Sequence, residues 1–128
     1  MYIRYTKKSH TMTFSPELVK GTLKTIILKL LADHSRMYGY EMTQKVKDLT
    51  KDKIHITEGA LYPSLHALEQ EGLVTVETEF IGKRIRKYYS LSQAGHARSE
   101  EKIREMAGFL NMMHLLLDIQ PKTRSCIP

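Results

Sequence analysis

Hydrophobic positions in the first part of this chain recur with the period of an α-helix. Ser15-Pro16-Glu17 combines a capping hydroxyl, a proline and an acid, which is typical of a helix start. An apolar stripe with i, i+3, i+4, i+7, i+8 spacing then runs from Leu23 to Leu31. The pattern predicts one helix that begins after Ser15, buries this stripe and ends between residues 33 and 36.

A second helix is predicted from about Tyr38 to Leu49, and the polar run 50–53 ends it. The spacing assigns to its inner face Tyr38, Met42, Val46 and Leu49. On or toward its opposite face lie Tyr40, Thr43 and Lys47.

A third helix is predicted from a Thr57 N-cap to about Glu71, with Gly72 as its C-terminal stop. Pro63 lacks the N–H that would bond near Gly59, so we expect a loose or kinked first turn. The helix is retained because a leucine stripe continues across the proline. The stripe consists of Leu61, Leu65 and Leu68.

The period then changes from that of a helix to that of a strand. Leu73 to Phe80 and Ile85 to Leu91 both alternate, and the segment 81–84 between them contains Gly82. This predicts a β-hairpin with a basic tip. Tyr89 should be a core residue, because it shares a strand face with Leu91.

Ser92 should cap a last, long helix that extends to about Ile119. A narrow apolar seam with 3, 4, 3, 4 spacing runs along it, which is typical of a coiled coil. A second apolar strip lies beside the seam, and a lone helix cannot bury both. The seam residues are Ile103, Met106, Leu110, Met113 and Leu117, and the strip residues are Phe109, Met112 and Leu116.

Three helices, a hairpin and a long helix make a mainly α protein with a small β-hairpin. The order is that of a winged helix-turn-helix, followed by a C-terminal dimerisation helix. We divide the chain into a flexible basic arm (1–14), the winged helix-turn-helix (15–91), the dimerisation helix (92–120) and a tail (121–128).

The formal net charge of +6 is localised. Residues 1–13 carry three Lys or Arg and no acid, residues 83–87 carry four and no acid, and the remainder sums to −1. A localised basic patch suits a polyanion such as DNA, because neutralising phosphates releases counterions. A solubilising tail plus a charged turn is the alternative interpretation.

Several other classes of protein are disfavoured. No stretch approaches the ~18 apolar residues of a membrane span, and the N-terminus lacks the apolar run of a signal peptide, so a cytoplasmic location is expected. The one cysteine, Cys126, has no partner within the chain. The six histidines lack metal-ligand spacing, and no nucleotide or nucleophile motif occurs, so neither a metal, a cofactor nor catalysis is expected.

Three motifs carry a family resemblance: Tyr-Gly-Tyr-Glu at 38–41, Glu-Gly-Ala-Leu-Tyr-Pro-Ser-Leu at 58–65 and Arg-Lys-Tyr-Tyr-Ser-Leu-Ser at 86–92. In this order and separation, over residues 18–95, the chain resembles the PadR family of bacterial transcriptional regulators. The resemblance implies a DNA-binding homodimer, typically a repressor, and the short-tailed branch with one C-terminal helix. Some members respond to small aromatic or drug-like ligands. Ala60 departs from the common Thr or Ser, which removes a hydroxyl that could touch a phosphate.

The start and outer face of the third helix, the second helix and the wing supply the candidate contacts to double-stranded DNA. The candidates are Tyr40, Lys47, Thr57, Gly59, Tyr62, Ser64, His66, Lys83, Arg84 and Arg86. Tyr62 could instead pack against the wing, and His66 or the wing tip could simply be solvated. Since the Arg–guanine and Asn–adenine pairs are missing from the third helix, we expect modest direct specificity, helped by DNA shape.

The C-terminal helix has two interpretations. The first is a homodimer interface, formed by Ile103, Met106, Phe109, Leu110, Met113 and Leu117. The second adds a pocket for a small hydrophobic effector, bordered by Phe109, Met112 and Met113, because Met adapts to varied apolar shapes.

Our functional hypothesis is a homodimeric repressor that binds an inverted-repeat operator. The alternative is a winged-helix protein-interaction module without specific DNA binding. The acids Glu58, Glu69 and Glu71 on the third helix leave this alternative open.

Overall fold

The computed structural model describes residues 14–119. The elements in chain order are α1 (Pro16–Lys20), α2 (Leu23–Asp33), β1 (Met37–Tyr38), α3 (Gly39–Leu49), α4 (Glu58–Gln70), β2 (Val74–Ile81), β3 (Arg84–Leu91) and α5 (Gln93–Leu117). The basic arm and the tail expected from the sequence lie outside the described residues, apart from Phe14. Both assignments, and the domain boundaries, stay predictions.

Local capping starts the helices where the sequence predicts. The hydroxyls of Ser15, Thr57 and Ser92 each accept a hydrogen bond from the backbone N–H three residues later. Each bond satisfies one of the donors that a helix start leaves free. The N-termini of α1, α4 and α5 are therefore set by short-range chemistry.

The prediction of a single first helix, beginning after Ser15 and ending between residues 33 and 36, is wrong. The segment is divided into α1 and α2 at Gly21 and Thr22. The Thr22 hydroxyl donates to the carbonyl of Val19 at 3.0 Å, which offers the backbone an alternative to continued helix. Glycine at the adjacent position has low helix propensity, so the break costs little.

The second predicted helix needs three corrections. Tyr38 belongs to β1, because Met37 and Tyr38 pair with Tyr89 and Tyr88 of β3. Leu49 is 70% exposed, since it borders an open groove that faces α5. Thr43 is buried, and its hydroxyl donates to the carbonyl of Tyr40 at 2.8 Å. Because the hydroxyl has this partner, it does not require a hydrogen bond to water.

Helix α4 is continuous from Glu58 to Gln70 across Pro63, as predicted, and the expected loose or kinked first turn stays a prediction. Its predicted stripe is confirmed, because Leu61, Leu65 and Leu68 are at most 1% exposed. Gly72 follows the helix with φ = +77°, a conformation that favours glycine. The chain there turns directly into β2.

The sheet has three antiparallel strands in the order β1-β3-β2. The predicted hairpin is present, and β1 adds a short third strand that the sequence pattern did not indicate. The two-residue turn is Gly82-Lys83, where Gly82 has φ = +64°. Tyr89 lies in the core, as predicted.

The core lies between helices α2, α3 and α4 and one face of the sheet. The N-terminal half of α5 packs on α2, where the buried Ser99 hydroxyl donates to the Leu28 carbonyl at 3.4 Å. The C-terminal half of α5 leaves the core, and Leu115, Leu116 and Leu117 are all mostly exposed. Among residues 14–119, none of the helices has the length and apolarity to cross a membrane.

Candidate nucleic-acid interface

Helix α4 presents a solvent-exposed face opposite its buried leucines. Gly59, Tyr62 and His66 lie on this exposed face. Ser64 is half-buried on another side of the helix, where it borders a depression lined by residues of α1. Thr57 is occupied as the N-cap and accepts from the N–H of Ala60 at 3.2 Å. The α4 candidates therefore divide between two sides of the helix.

Tyr62 connects α4 to the N-terminus of α3. A Cβ atom at Gly39 would lie 2.7 Å from Cζ of the Tyr62 ring, so a larger residue here would require the ring to move. Partial burial, and then the charge of Glu58, raise the pKa of Tyr62 above its ordinary value. Like that of any tyrosine, the phenol is protonated at neutral pH, and it can donate a hydrogen bond.

Tyr40 stands at the start of α3 and is 55% exposed. Lys47, seven residues later, lies toward the same side of α3 and is half-buried. Together with Tyr62 and the wing, Tyr40 borders a cleft of about 420 Å³. The lining residues are Tyr38, Gly39, Tyr40, Tyr62, Arg84, Ile85, Arg86 and Lys87. This cleft brings parts of α3, α4 and the wing together.

The wing carries its cations in two different environments. Lys83 and Arg84 are exposed at and beside the turn. Arg86 is half-buried, and its guanidinium carbon lies 4.0 Å from the ring centroid of Tyr38. A weak hydrogen bond from Arg86 Nη1 to the Tyr88 hydroxyl, at 3.5 Å, raises the pKa of Arg86. Arg86 is thus held in one orientation, whereas the tip cations are free to adapt.

A second stacked arginine holds the acids of the wing. The guanidinium carbon of Arg36 lies 3.9 Å from the ring centroid of Tyr88, which meets the Tyr38 ring edge-on at 5.5 Å. Arg36 Nη1 also forms ion pairs with Glu77 at 3.2 Å and Glu79 at 2.9 Å. These two carboxylates lie on β2 opposite Tyr88 and Arg86 and are partly neutralised by Arg36, so the wing keeps a net positive charge.

Sequence reasoning missed Tyr38 and Gly39 as parts of this surface. Tyr38 was assigned to the inner face of a helix, whereas its ring supports Arg86. A glycine at the first position of a helix was the available signal, because glycine is poor for helix stability and must be offset by a packing reason. The ring of Tyr62 is that reason.

Within one chain the predicted seam on α5 is only partly covered, since Leu110 and Leu117 are exposed while Ile103, Met106 and Met113 are half-buried. Phe109, Leu110 and Met112 are 49–55% exposed. Ile103, Met106 and Leu110 line an apolar groove of about 550 Å³, whose other walls come from α2, α3 and the loop after α3. Met112 and Met113 do not line this groove, and Phe109 borders a neighbouring depression beside Leu18 of α1. The proposed effector trio is therefore not gathered into one cavity by a single chain.

Comparison with known proteins identifies the family. The model of the family described as "Transcriptional regulator PadR-like family" matches residues 27–101. The transcriptional regulator Rv3488 of Mycobacterium tuberculosis is 31% identical over 90 residues, which are 70% of this chain and 80% of that protein. An uncharacterised protein of Lysinibacillus sphaericus is 30% identical over 105 residues, which are 80% of this chain and 94% of that protein.

A solved structure gives the same answer. The PadR family transcriptional regulator from Eggerthella lenta superposes with a TM-score of 0.69 and 29% sequence identity, and the match covers 81% of this chain and 88% of that one. This chain belongs to the PadR-like family of transcriptional regulators, whose members bind DNA and are not enzymes.

Proposed function

We propose that the protein is a homodimeric repressor that binds an inverted-repeat operator in double-stranded DNA. Helix α4 would enter the major groove, and the wing would lie along the adjacent backbone and minor groove. The cleft where Tyr40, Tyr62 and Arg86 converge from three elements carries this proposal. Since a regulator of this kind acts on chromosomal DNA, we propose a cytoplasmic location.

The charge distribution supports a backbone contact through the wing. Four cations lie within five residues of the wing: Lys83, Arg84, Arg86 and Lys87. Within the described residues 14–119, none of the four forms an ion pair with an acidic side chain. Arg86 is held by Tyr38, so less side-chain entropy would be lost when it meets a phosphate. This part of the binding would depend steeply on salt and little on sequence.

Helix α4 would supply a modest sequence preference. Gly59 would let the backbone approach DNA closely, and His66 is exposed about two turns further along, where it could reach a base edge. Tyr62, Thr57 and Ser64 would donate to phosphates. Lys47 and Tyr40 would contact the backbone from α3.

Dimerisation through α5 would supply the two-fold symmetry of the operator. The seam residues Met106, Leu110 and Met113 follow a coiled-coil spacing, and Leu110 is half-exposed in one chain. A partner helix that covers this face would present two copies of α4 about one turn of DNA apart.

The wing assignment can be tested by gel-shift titration at several salt concentrations. Replacing Lys83, Arg84 and Arg86 together with alanine should weaken binding and reduce the salt slope by roughly one per lost phosphate contact. Lys102→Ala is the control, because Lys102 lies on α5 and pairs with Glu105. Unchanged affinity and slope in the triple variant would refute the wing assignment.

We further propose that a small aromatic or drug-like molecule relieves repression by binding at the dimer interface. Phe109, Met112 and Met113 would border that site across two chains, since one chain does not gather them. Titrating aromatic compounds into the protein–operator complex should release DNA, and Met113→Ala should raise the concentration required. Failure of every compound to change DNA affinity or melting temperature would refute this part.

A protein-interaction module is the second candidate. The exposed acids Glu58 and Glu69 on α4 favour it, because they would repel phosphates. Retention of the full chain on duplex DNA at low salt distinguishes the two. This alternative replaces DNA binding if the chain is not retained on DNA and instead captures a defined protein. An α4 variant should then fail to capture that protein.

A further inference from the structure

The tip of the hairpin exposes large apolar side chains, which contribute nothing to a turn that only contacts water. Phe80 and Ile85 are 74% and 61% exposed, and they are directly paired in the β2–β3 register. Directly paired residues share one face of an antiparallel ribbon, so the two side chains form a continuous apolar surface. Ile81, 43% exposed, adds apolar area on the other face, one pair nearer the turn.

This surface is the uncovered end of the core face of the sheet. At the base of the hairpin the same face is buried, with Val74 at 2% and Tyr89 at 5% exposure. Because side chains alternate between faces, Phe80 and Ile85 continue this face toward the tip. The ribbon therefore projects beyond the helices that cover its base, and its last apolar pair is left for a partner.

The surrounding charge indicates what that partner is. Lys83 and Arg84 are exposed at the tip, and Glu79 is directed to the opposite face, where it binds Arg36. A second copy of this tip would bring like charges together, which disfavours pairing between two wings. A neutral apolar groove would leave the cations without partners. The DNA minor groove has phosphates at its rims and sugars and base edges inside, so it complements both features.

We propose that Phe80 and Ile85 form an apolar wedge that enters the DNA minor groove and partly opens a base step, while Lys83 and Arg84 bind the flanking phosphates. The inference rests on the proposed DNA binding and adds to it a mode of readout. Inserted apolar side chains unstack base steps and kink DNA toward the major groove. The energy required is lowest at flexible pyrimidine–purine steps, so the wedge would favour such sequences without hydrogen bonds to bases.

The dimensions of the hairpin imply that insertion from the tip would widen the minor groove. Two paired strands lie about 4.8 Å apart, and the minor groove of B-form DNA is about 6 Å wide. A ribbon with its side chains is wider than this groove, so entry requires the groove to widen. Gly82 has no side chain, which keeps the leading edge of the tip narrow. Phe80 and Ile85 form the second pair behind the turn, after Ile81 and Arg84, and would hold the widened groove open.

The test uses short duplexes selected from a random pool by the full-length wild-type protein, labelled at both ends with a donor and an acceptor fluorophore. Phe80→Ser/Ile85→Ser should lower affinity about tenfold and abolish the protein-induced change in energy transfer, with an unchanged salt slope. Phe80→Leu keeps an apolar side chain and should retain most of the bend. Lys83→Ala should do the reverse, reducing the salt slope by about one while the bend persists.

Each other outcome has a definite meaning. If the wild-type chain selects no duplex, DNA binding fails and the wedge fails with it. If the wild type binds and bends DNA but the double serine variant does so equally well, the wedge alone is overturned. Lower affinity with an unchanged bend also overturns it. A change in sedimentation with unaltered DNA binding would assign the tip to contact with a second copy. Both side chains are exposed, so melting temperatures should change little and will verify folding.

Discussion

Replacing Gly95 with alanine should destabilise the protein, whereas the same replacement at Gly108 in the same helix should stabilise it. A Cβ atom at Gly95 would collide with the carbonyl oxygen of Leu73 and lie 3.1 Å from both the Leu73 carbonyl carbon and Leu91 Cδ2. The Leu73 carbonyl cannot easily move, since it accepts the Ser92 N–H at 3.0 Å. A Cβ atom at Gly108 would meet nothing within 4 Å.

The two substitutions differ by the cost of that collision. Alanine is favoured over glycine inside a helix by at most about 1 kcal/mol, a gain available to both variants. Overpacking a fitted site costs about 1–3 kcal/mol, and a backbone partner places Gly95 at the upper end. We therefore expect Gly95→Ala to be about 2 kcal/mol less stable than the wild type, and Gly108→Ala to be up to about 1 kcal/mol more stable.

Urea unfolding followed by circular dichroism measures both changes. All variants must be compared at one protein concentration, because association shifts apparent stability. A Gly95→Ala variant as stable as Gly108→Ala would refute the tight contact between α5 and the turn before β2. Since α5 also carries the proposed seam, a displaced helix should weaken operator binding as well, which a gel shift would detect.

Three further predictions concern the wing, the core and the seam. Tyr38→Leu should weaken DNA binding by about 0.5–1 kcal/mol, whereas Tyr38→Phe should not. In a double-mutant cycle measured by gel shift, Arg86→Ala should weaken the Tyr38→Leu variant little further. Additive losses would refute the stacked arrangement. Burial raises the pKa of Tyr89, so the native state favours the neutral phenol. The contribution of this preference to stability is complete below the unfolded-state pKa of about 10, and it is lost as the pH rises from there through the higher folded-state pKa. Tyr89→Phe should flatten that decline in urea unfolding, and an identical decline in both proteins would contradict the assignment. Leu110→Lys should dissociate the dimer in sedimentation experiments, and Asn111→Lys, outside the seam, should not; a dimer that survives Leu110→Lys must use another surface.

Sequence reasoning succeeded where neighbours along the chain decide the outcome. The hydroxyl of Ser92 caps α5 because its partner N–H is only three residues away. Tyr89 could be assigned to the core because alternation along a strand determines which residues share a face. The leucine stripe of α4 likewise survived Pro63, since its spacing alone identified one buried face.

The errors arose where distant residues compete with local pattern. Tyr38 continued a helical stripe, yet pairing with Tyr88, fifty positions later, makes it extended. Leu49 fitted the inner face of α3, yet no element of the described chain covers it. Periodicity reports which residues could share a face and carries no information about what lies opposite that face.

The candidate interface shows the same division. Most of the helices, the hairpin with its basic tip and the apolar seam could be predicted from the sequence, because charge and periodicity are properties of short segments. The stacking of Arg86 on Tyr38, and the place of the Tyr62 ring in the space left by Gly39, depend on tertiary packing. These contacts join residues 23 and 48 positions apart, and such pairs are chosen by how the helices and the sheet pack, which no local pattern along the chain specifies.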